Sequence, residues 1–290
     1  MSDDPAARTL RLPDGRRLGY AEFGDPRGRP VLYFHGFPGS RLEARLGDAA
    51  ARRQEVRLLA IDRPGYGLSD HLPGRRLLDW PRDVTRFADI LGLEQFGVLG
   101  VSGGGPFALA CAAALAGRVG GVALACPLGL IGDSASHPFQ SVPIRTLLAF
   151  GRNLPRTSRC LGRWLTRLVC RRPERILKVL SLTAPAVDRQ LLKRPDFRDV
   201  MTLSALEAFA QDGRGPACDM QIYASHWGFD PADVRLPVVL WQGLEDRATP
   251  PALAEFLASR LPACQLRLIE GEGHFSLPIR HMDEILAGTG

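Results

Sequence analysis

Phe96-Gly97-Val98-Leu99-Gly100-Val101-Ser102-Gly103-Gly104-Gly105-Pro106-Phe107-Ala108-Leu109-Ala110-Cys111-Ala112 joins a short apolar run to a helix-prone one through a serine set among glycines. A serine at the tip of a strand-to-helix turn has its hydroxyl pushed clear of the backbone, and its neighbours must be small because strand and helix pass in contact there. Gly100-Val101-Ser102-Gly103-Gly104 therefore reads as a nucleophile elbow. With 31 glycines in 290 residues, the pentapeptide carries little weight alone. The surrounding chain has to decide.

Outward from the elbow, Val31-Leu32-Tyr33-Phe34, Val56 to Ile61, Phe96 to Leu99 and Gly121 to Ala125 read as short buried strands. Helical stretches such as Leu42 to Arg53 and Trp80 to Leu91 separate them, the latter with Pro81 in its first turn and Val84, Phe87, Ala88 and Leu91 along one face. This alternation predicts an α/β fold, a mostly parallel sheet with helices on both faces. Before it, Thr9 to Leu12 and Arg17 to Phe23 flank Pro13-Asp14-Gly15-Arg16, the turn chemistry of an antiparallel hairpin. From about Leu128 to Asp233 the beat stops, and the segment reads as helices broken by Pro143, Pro155, Pro173, Pro185, Pro195 and Pro216. It resumes with Val238 to Trp241, a helix begun by Thr249-Pro250-Pro251, the strand Gln265 to Ile269 and a last helix around Pro278 to Leu286. The expected organisation is a core of residues 1–127 and 234–290 with a helical cap, 128–233, inserted.

Composition narrows the functional classes. A chain of 290 residues with 45% hydrophobic content can bury a sizeable core. The net charge of +6 is almost wholly arginine, Lys178 and Lys193 being the only lysines, and no nucleic-acid motif accompanies it. Cys111, Cys126, Cys160, Cys170, Cys218 and Cys264 lack metal-site spacing and suit a reducing compartment. The acidic start, Met1-Ser2-Asp3-Asp4, does not resemble a signal peptide, and no apolar run reaches the roughly 20 residues of a membrane span. A soluble, cytoplasmic protein is expected. Arg152, Arg156, Arg159, Arg163, Arg167 and Arg171 recur at helical spacing opposite Leu161, Trp164, Leu165 and Leu168. Such a helix could rest on an anionic membrane or attract anionic substrates, although a solvated face is the simpler reading.

A serine hydroxyl needs a base, and the base needs a partner that fixes its tautomer and stabilises the imidazolium. His274, in Gly271-Glu272-Gly273-His274-Phe275, follows the last strand; Asp246, in Gly243-Leu244-Glu245-Asp246, follows the strand before it. Loops after parallel strands open on one edge of the sheet, so both groups can converge above Ser102. Glu245 and Asp133 are rival acids.

At these residues the chain resembles the α/β-hydrolase superfamily, in its capped, esterase-like serine hydrolase branch. His35-Gly36-Phe37-Pro38-Gly39 is similar to the family's HGxPG loop and Asp62 to Ser69 to its DxxGxGxS turn; GxxDxxxP and GxGH-type ends complete the set. The resemblance implies an oxyanion hole from the backbone amides of Phe37 and Gly103, with His35 a scaffold for its loop. It also implies two-step acyl transfer through Ser102, His274 and Asp246. The expected activity is hydrolysis of a carboxylic ester, or a related lactone or thioester, of a small apolar molecule. The alternatives are a ligand receptor or signalling protein on this fold, or a peptidase, perhydrolase or C–C bond hydrolase of the superfamily. Ser102 disfavours the aspartate-nucleophile dehalogenases and epoxide hydrolases. Cap aromatics Phe139, Phe150, Phe209, Tyr223, Trp227 and Phe229 suit an apolar pocket or plain core. No metal or organic cofactor is expected, since HExxH, Walker and post-strand GxGxxG patterns are missing from the sequence. The sequence leaves oligomeric state open.

Overall fold

The computed structural model describes residues 4–139 and 174–290. Eight strands form one sheet: β1 (Arg8–Arg11), β2 (Arg17–Gly24), β3 (Arg29–Phe34), β4 (Val56–Ile61), β5 (Phe96–Val101), β6 (Val119–Ala125), β7 (Val238–Gly243) and β8 (Cys264–Ile269). Their spatial order is β1-β2-β4-β3-β5-β6-β7-β8. The β1–β2 hairpin pairs antiparallel with itself and with β4, and every later pairing is parallel. The expected α/β architecture is what the chain adopts.

Successive side chains on a strand face opposite sides, so a strand covered on both faces must be apolar throughout. Leu32 and Phe34 of β3 pack in one core cluster, with Trp80, Val84, Phe87 and Phe107. Val31 and Tyr33 of the same strand pack in the other, with Ala50, Ala51, Ile285 and Leu286. The first cluster lies under α2 (Trp80–Ile90) and α3 (Gly105–Ala114), the second under α1 (Asp48–Arg53) and the C-terminal helix Met282–Ala287. Each fully buried leucine there contributes about 1.5–3 kcal/mol relative to exposure.

Two helices differ from expectation. Residues 42–53 are not one helix: Arg41–Gly47 is a 3₁₀ segment, capped by Ser40, and only Asp48–Arg53 is α-helical. Glycine at position 47 weakens helix continuity at that joint. The last helix is split into Ser276–Arg280 and Met282–Ala287, because His281 leaves helical geometry at ψ 18°.

Between β6 and β7 the described chain is helical, over Glu174–Thr183, Ala186–Leu191, Pro195–Phe209 and Arg214–Tyr223. Pro185 precedes the second, Pro195 opens the third and Pro216 lies in the first turn of the fourth, positions where a missing N–H is harmless. The arginine-rich face from Arg152 to Arg171 lies outside the described residues. No helix of the described residues is long and apolar enough to cross a membrane.

Candidate active site

Ser102 stands between β5 and α3 with φ +51°, a left-handed conformation that turns its side chain out of the sheet edge. The turn closes only because its neighbours lack side chains. A Cβ on Gly100 would lie 2.7 Å from the Gly104 carbonyl oxygen, and one on Gly104 would lie 2.0 Å from that of Phe34.

His274 reaches this serine from the loop after β8, its Nε2 lying 3.0 Å from Ser102 Oγ. Its Nδ1 lies 2.8 Å from Asp246 Oδ2. The carboxylate accepts only, so Nδ1 carries the proton and Nε2 is left to accept from the serine. Asp246 is held in turn by the amides of Ala248 and Thr249 on Oδ1, and by the Thr249 hydroxyl and Gln242 Nε2 on Oδ2. Burial alone would depress the imidazole, but Asp246, followed by Asp188 and Glu43, outweighs it and raises the His274 pKa above the usual histidine value. Burial likewise opposes the Asp246 charge, and His274 and Thr249 keep its pKa low. Of the rival acids, Glu245 is exposed and Asp133 pairs with Arg260 at 3.7 Å.

The two amides expected to face the reaction are oriented from behind. In a planar trans peptide, C=O and N–H point in opposite directions. The Ser102 carbonyl accepts the Leu128 amide at 2.8 Å, which sends the Gly103 N–H the other way. The Gly36 carbonyl accepts Arg63 Nη2 at 3.0 Å and His35 Nδ1 at 3.0 Å, which does the same for the Phe37 N–H. His35 is fully buried and neutral: burial, then Arg63, push its pKa well down.

Arg63 belongs to a buried cluster that sequence reading missed. Its Nε donates to Asp219 at 2.8 Å, and Arg75 and the Tyr66 hydroxyl bind the same carboxylate. Two guanidiniums outweigh the burial penalty and hold the Asp219 pKa low. From the same helix, the Tyr223 hydroxyl meets the Gly103 carbonyl at 2.9 Å. The sequence offered only the four-residue spacing of Asp219 and Tyr223, which share the buried face of Arg214–Tyr223 but look no different in sequence from an exposed pair. Phe209, Tyr223, Trp227 and Phe229 do not line the cavity beside Ser102; Tyr223 and Trp227 instead pack with Phe107 in the core.

That cavity is about 290 Å³ and touches Ser102, Gly103, Phe37 and His274. Leu46, Leu128, Leu177, Phe197, Met201 and Phe275 make its wall largely apolar. Glu43 and Asp188 are the acids within it; Glu43 Oε2 accepts the Gly36 amide at 2.8 Å, and burial pushes the Glu43 pKa up to about 7. Neither the run Ser40-Arg41-Leu42-Glu43 nor its neighbours flagged it in sequence. Among the described residues, one trio of metal-type donors converges, Cys126, Asp246 and His274, with ligand atoms within 4.8 Å. The Asp246 and His274 atoms already serve the hydrogen bonds above, Cys126 Sγ donates to the Gly273 carbonyl at 3.7 Å, and burial, then Asp246, keep that thiol protonated.

The alpha/beta hydrolase fold family model matches residues 29–279. Over 138 residues, 47% of this chain, the sequence is 36% identical to a dihydrolipoyllysine-residue acetyltransferase component of an acetoin cleaving system from Cupriavidus necator, covering 36% of that protein. Over 110 residues, 36% of this chain, it is 32% identical to a proline iminopeptidase from Xylella fastidiosa, covering 34% of it. The matches thus span about a third of these relatives' own length. A solved thermophilic esterase from Thermogutta terrifontis superposes with TM-score 0.70 at 22% identity, over 97% of this chain and 96% of that one.

Proposed function

Because the chain belongs to the alpha/beta hydrolase fold family, we propose that it is a serine hydrolase that cleaves a carboxylic ester of a small, largely apolar molecule. The observation that carries this reading is the linked series Ser102 Oγ, His274 and Asp246 at 3.0 and 2.8 Å. Ser102 Oγ attacks the acyl carbon and gives its proton to His274 Nε2, while Asp246 stabilises the imidazolium. The carbonyl oxygen, now negative, is met by the Phe37 and Gly103 amides, and each such donor typically lowers a barrier by about 3 kcal/mol. The tetrahedral species collapses, the alkoxide leaves with the proton from His274, and an acyl-Ser102 ester remains. Water, deprotonated by the same Nε2, then releases the acid and restores the serine.

In this reading residues 128–233 form the cap, and the apolar walls from Leu177, Phe197 and Met201 suit an uncharged acyl or alkyl group. The test is a series of p-nitrophenyl esters from acetate to decanoate. Turnover by the wild type, lost in Ser102→Ala, supports the proposal; equal rates in both proteins reject it.

A further inference from the structure

Asp188 comes from the helix Ala186–Leu191, between β6 and β7, yet its carboxylate is spent on the loop that carries His274. Oδ2 accepts the His274 amide at 2.8 Å, and Oδ1 accepts those of Phe275 at 3.1 Å and Ser276 at 2.9 Å. The residue is 1% exposed. Three backbone donors on one buried carboxylate fix the plane of the peptide entering His274 and of the two that follow. The loop is shaped to admit it: a Cβ on Gly273 would lie 2.4 Å from Asp188 Oδ2. The Gly273 amide is turned onto Ser276 Oγ at 2.8 Å, so the loop is tied at every residue from 273 to 276.

We propose that Asp188 is a positioning residue for His274, by which the helical segment between β6 and β7 fixes the loop that carries the base. This rests on the reading of His274 as the general base for Ser102. A carboxylate that merely capped the helix Ser276–Arg280 would hold the loop and leave the imidazole's proton affinity alone. Asp188 does both, since its charge follows that of Asp246 in stabilising the imidazolium. The other groups facing His274 are Asp246 after β7, Glu43 after β3, the neutral Cys126 thiol at the end of β6, and Arg247 in the cavity wall. None of them comes from the segment that supplies Asp188.

The test compares wild type, Asp188→Asn and Ser102→Ala as folded proteins, using the pH dependence of kcat and kcat/KM on p-nitrophenyl butyrate. Asp188→Asn keeps the shape and removes the charge. Its kcat should fall about tenfold or more, with KM little changed. Its acid limb should move to lower pH by roughly half a unit or more, because a carboxylate that favoured the imidazolium is gone. An NMR titration of labelled His274 in the Ser102→Ala background should show the same downward shift without reliance on turnover. If Asp188→Asn does not fold, Gly273→Ala, whose Cβ would lie 2.4 Å from Asp188 Oδ2 and so displaces the carboxylate while keeping its charge, tests the positioning: kcat should again fall about tenfold or more, and an unchanged kcat overturns it. An unchanged kcat with an unmoved limb overturns the role of Asp188 while leaving the serine mechanism standing. Undiminished turnover in Ser102→Ala overturns the mechanism itself.

Discussion

Arg63 Nη2 donates to the carbonyl oxygen of Gly36 at 3.0 Å, from a side chain that is fully buried. Because a trans peptide opposes its carbonyl and its amide, this bond aims the Phe37 N–H at the space beside Ser102. The arginine is fixed by Asp219, which lies 156 residues further along the chain.

Replacing Arg63 with lysine keeps a charge but loses the fork that spans Asp219, the His35 carbonyl and the Gly36 carbonyl. Under the serine mechanism kcat for an activated ester should fall about 10²-fold to 10³-fold with KM within a few-fold, the pattern of a donor lost mainly in the transition state. A selective rise in KM would contradict it.

Asp219→Asn leaves two buried guanidiniums facing a neutral amide. It should lose about 3–5 kcal/mol of unfolding free energy in urea. The folded Asp219 pKa is depressed below the ordinary 3.8 by Arg63 and Arg75, against burial. Its stabilisation is therefore present above that ordinary value and is lost as pH falls through the lower folded value. The gap between wild type and variant should narrow only in strong acid.

Glu43 runs the other way. Its folded pKa, about 7, lies above the ordinary 4.5, so the unfolded chain ionises first as pH rises. Below pH 4.5 both states are neutral; through the interval up to about 7 the wild type loses stability, and above it the loss is complete. Glu43→Gln does not titrate and should gain on the wild type with rising pH, by about 3 kcal/mol at pH 8. Parallel stability curves from pH 4 to 8 would refute the assignment.

Asp246→Asn removes the largest charge favouring the imidazolium, so burial should then pull the His274 pKa down. Ester turnover should fall about 10⁴-fold, with the residual acid limb at lower pH. A loss smaller than tenfold would mean that another acid serves the histidine.

The architecture was legible because strands covered on both faces must be apolar, as in Phe96–Val101 and in Leu58, Leu59, Ala60 and Ile61 of Val56–Ile61. Ser102, Asp246 and His274 could be picked out because each follows a strand in a short glycine-bearing turn, so local pattern reports position. Asp188, Asp219 and Glu43 have no such local mark. Their partners are backbone amides or arginines brought near by tertiary packing, and a carboxylate in a helix looks the same in sequence whether it faces water or a buried guanidinium. Phe209, Tyr223, Trp227 and Phe229 stayed open between pocket and core for a related reason: apolar type predicts burial, and does not say whether a residue is buried against a cavity or, like Trp227, within the core.

Treatment of the folded protein with a fluorophosphonate, followed by peptide mass spectrometry, measures whether Ser102 is an activated nucleophile. One covalent adduct on the peptide containing Ser102, lost in Ser102→Ala and slowed about 10³-fold or more in His274→Ala, is the expected result. A wild-type protein that stays unlabelled, or carries its label on another residue, contradicts the proposed mechanism.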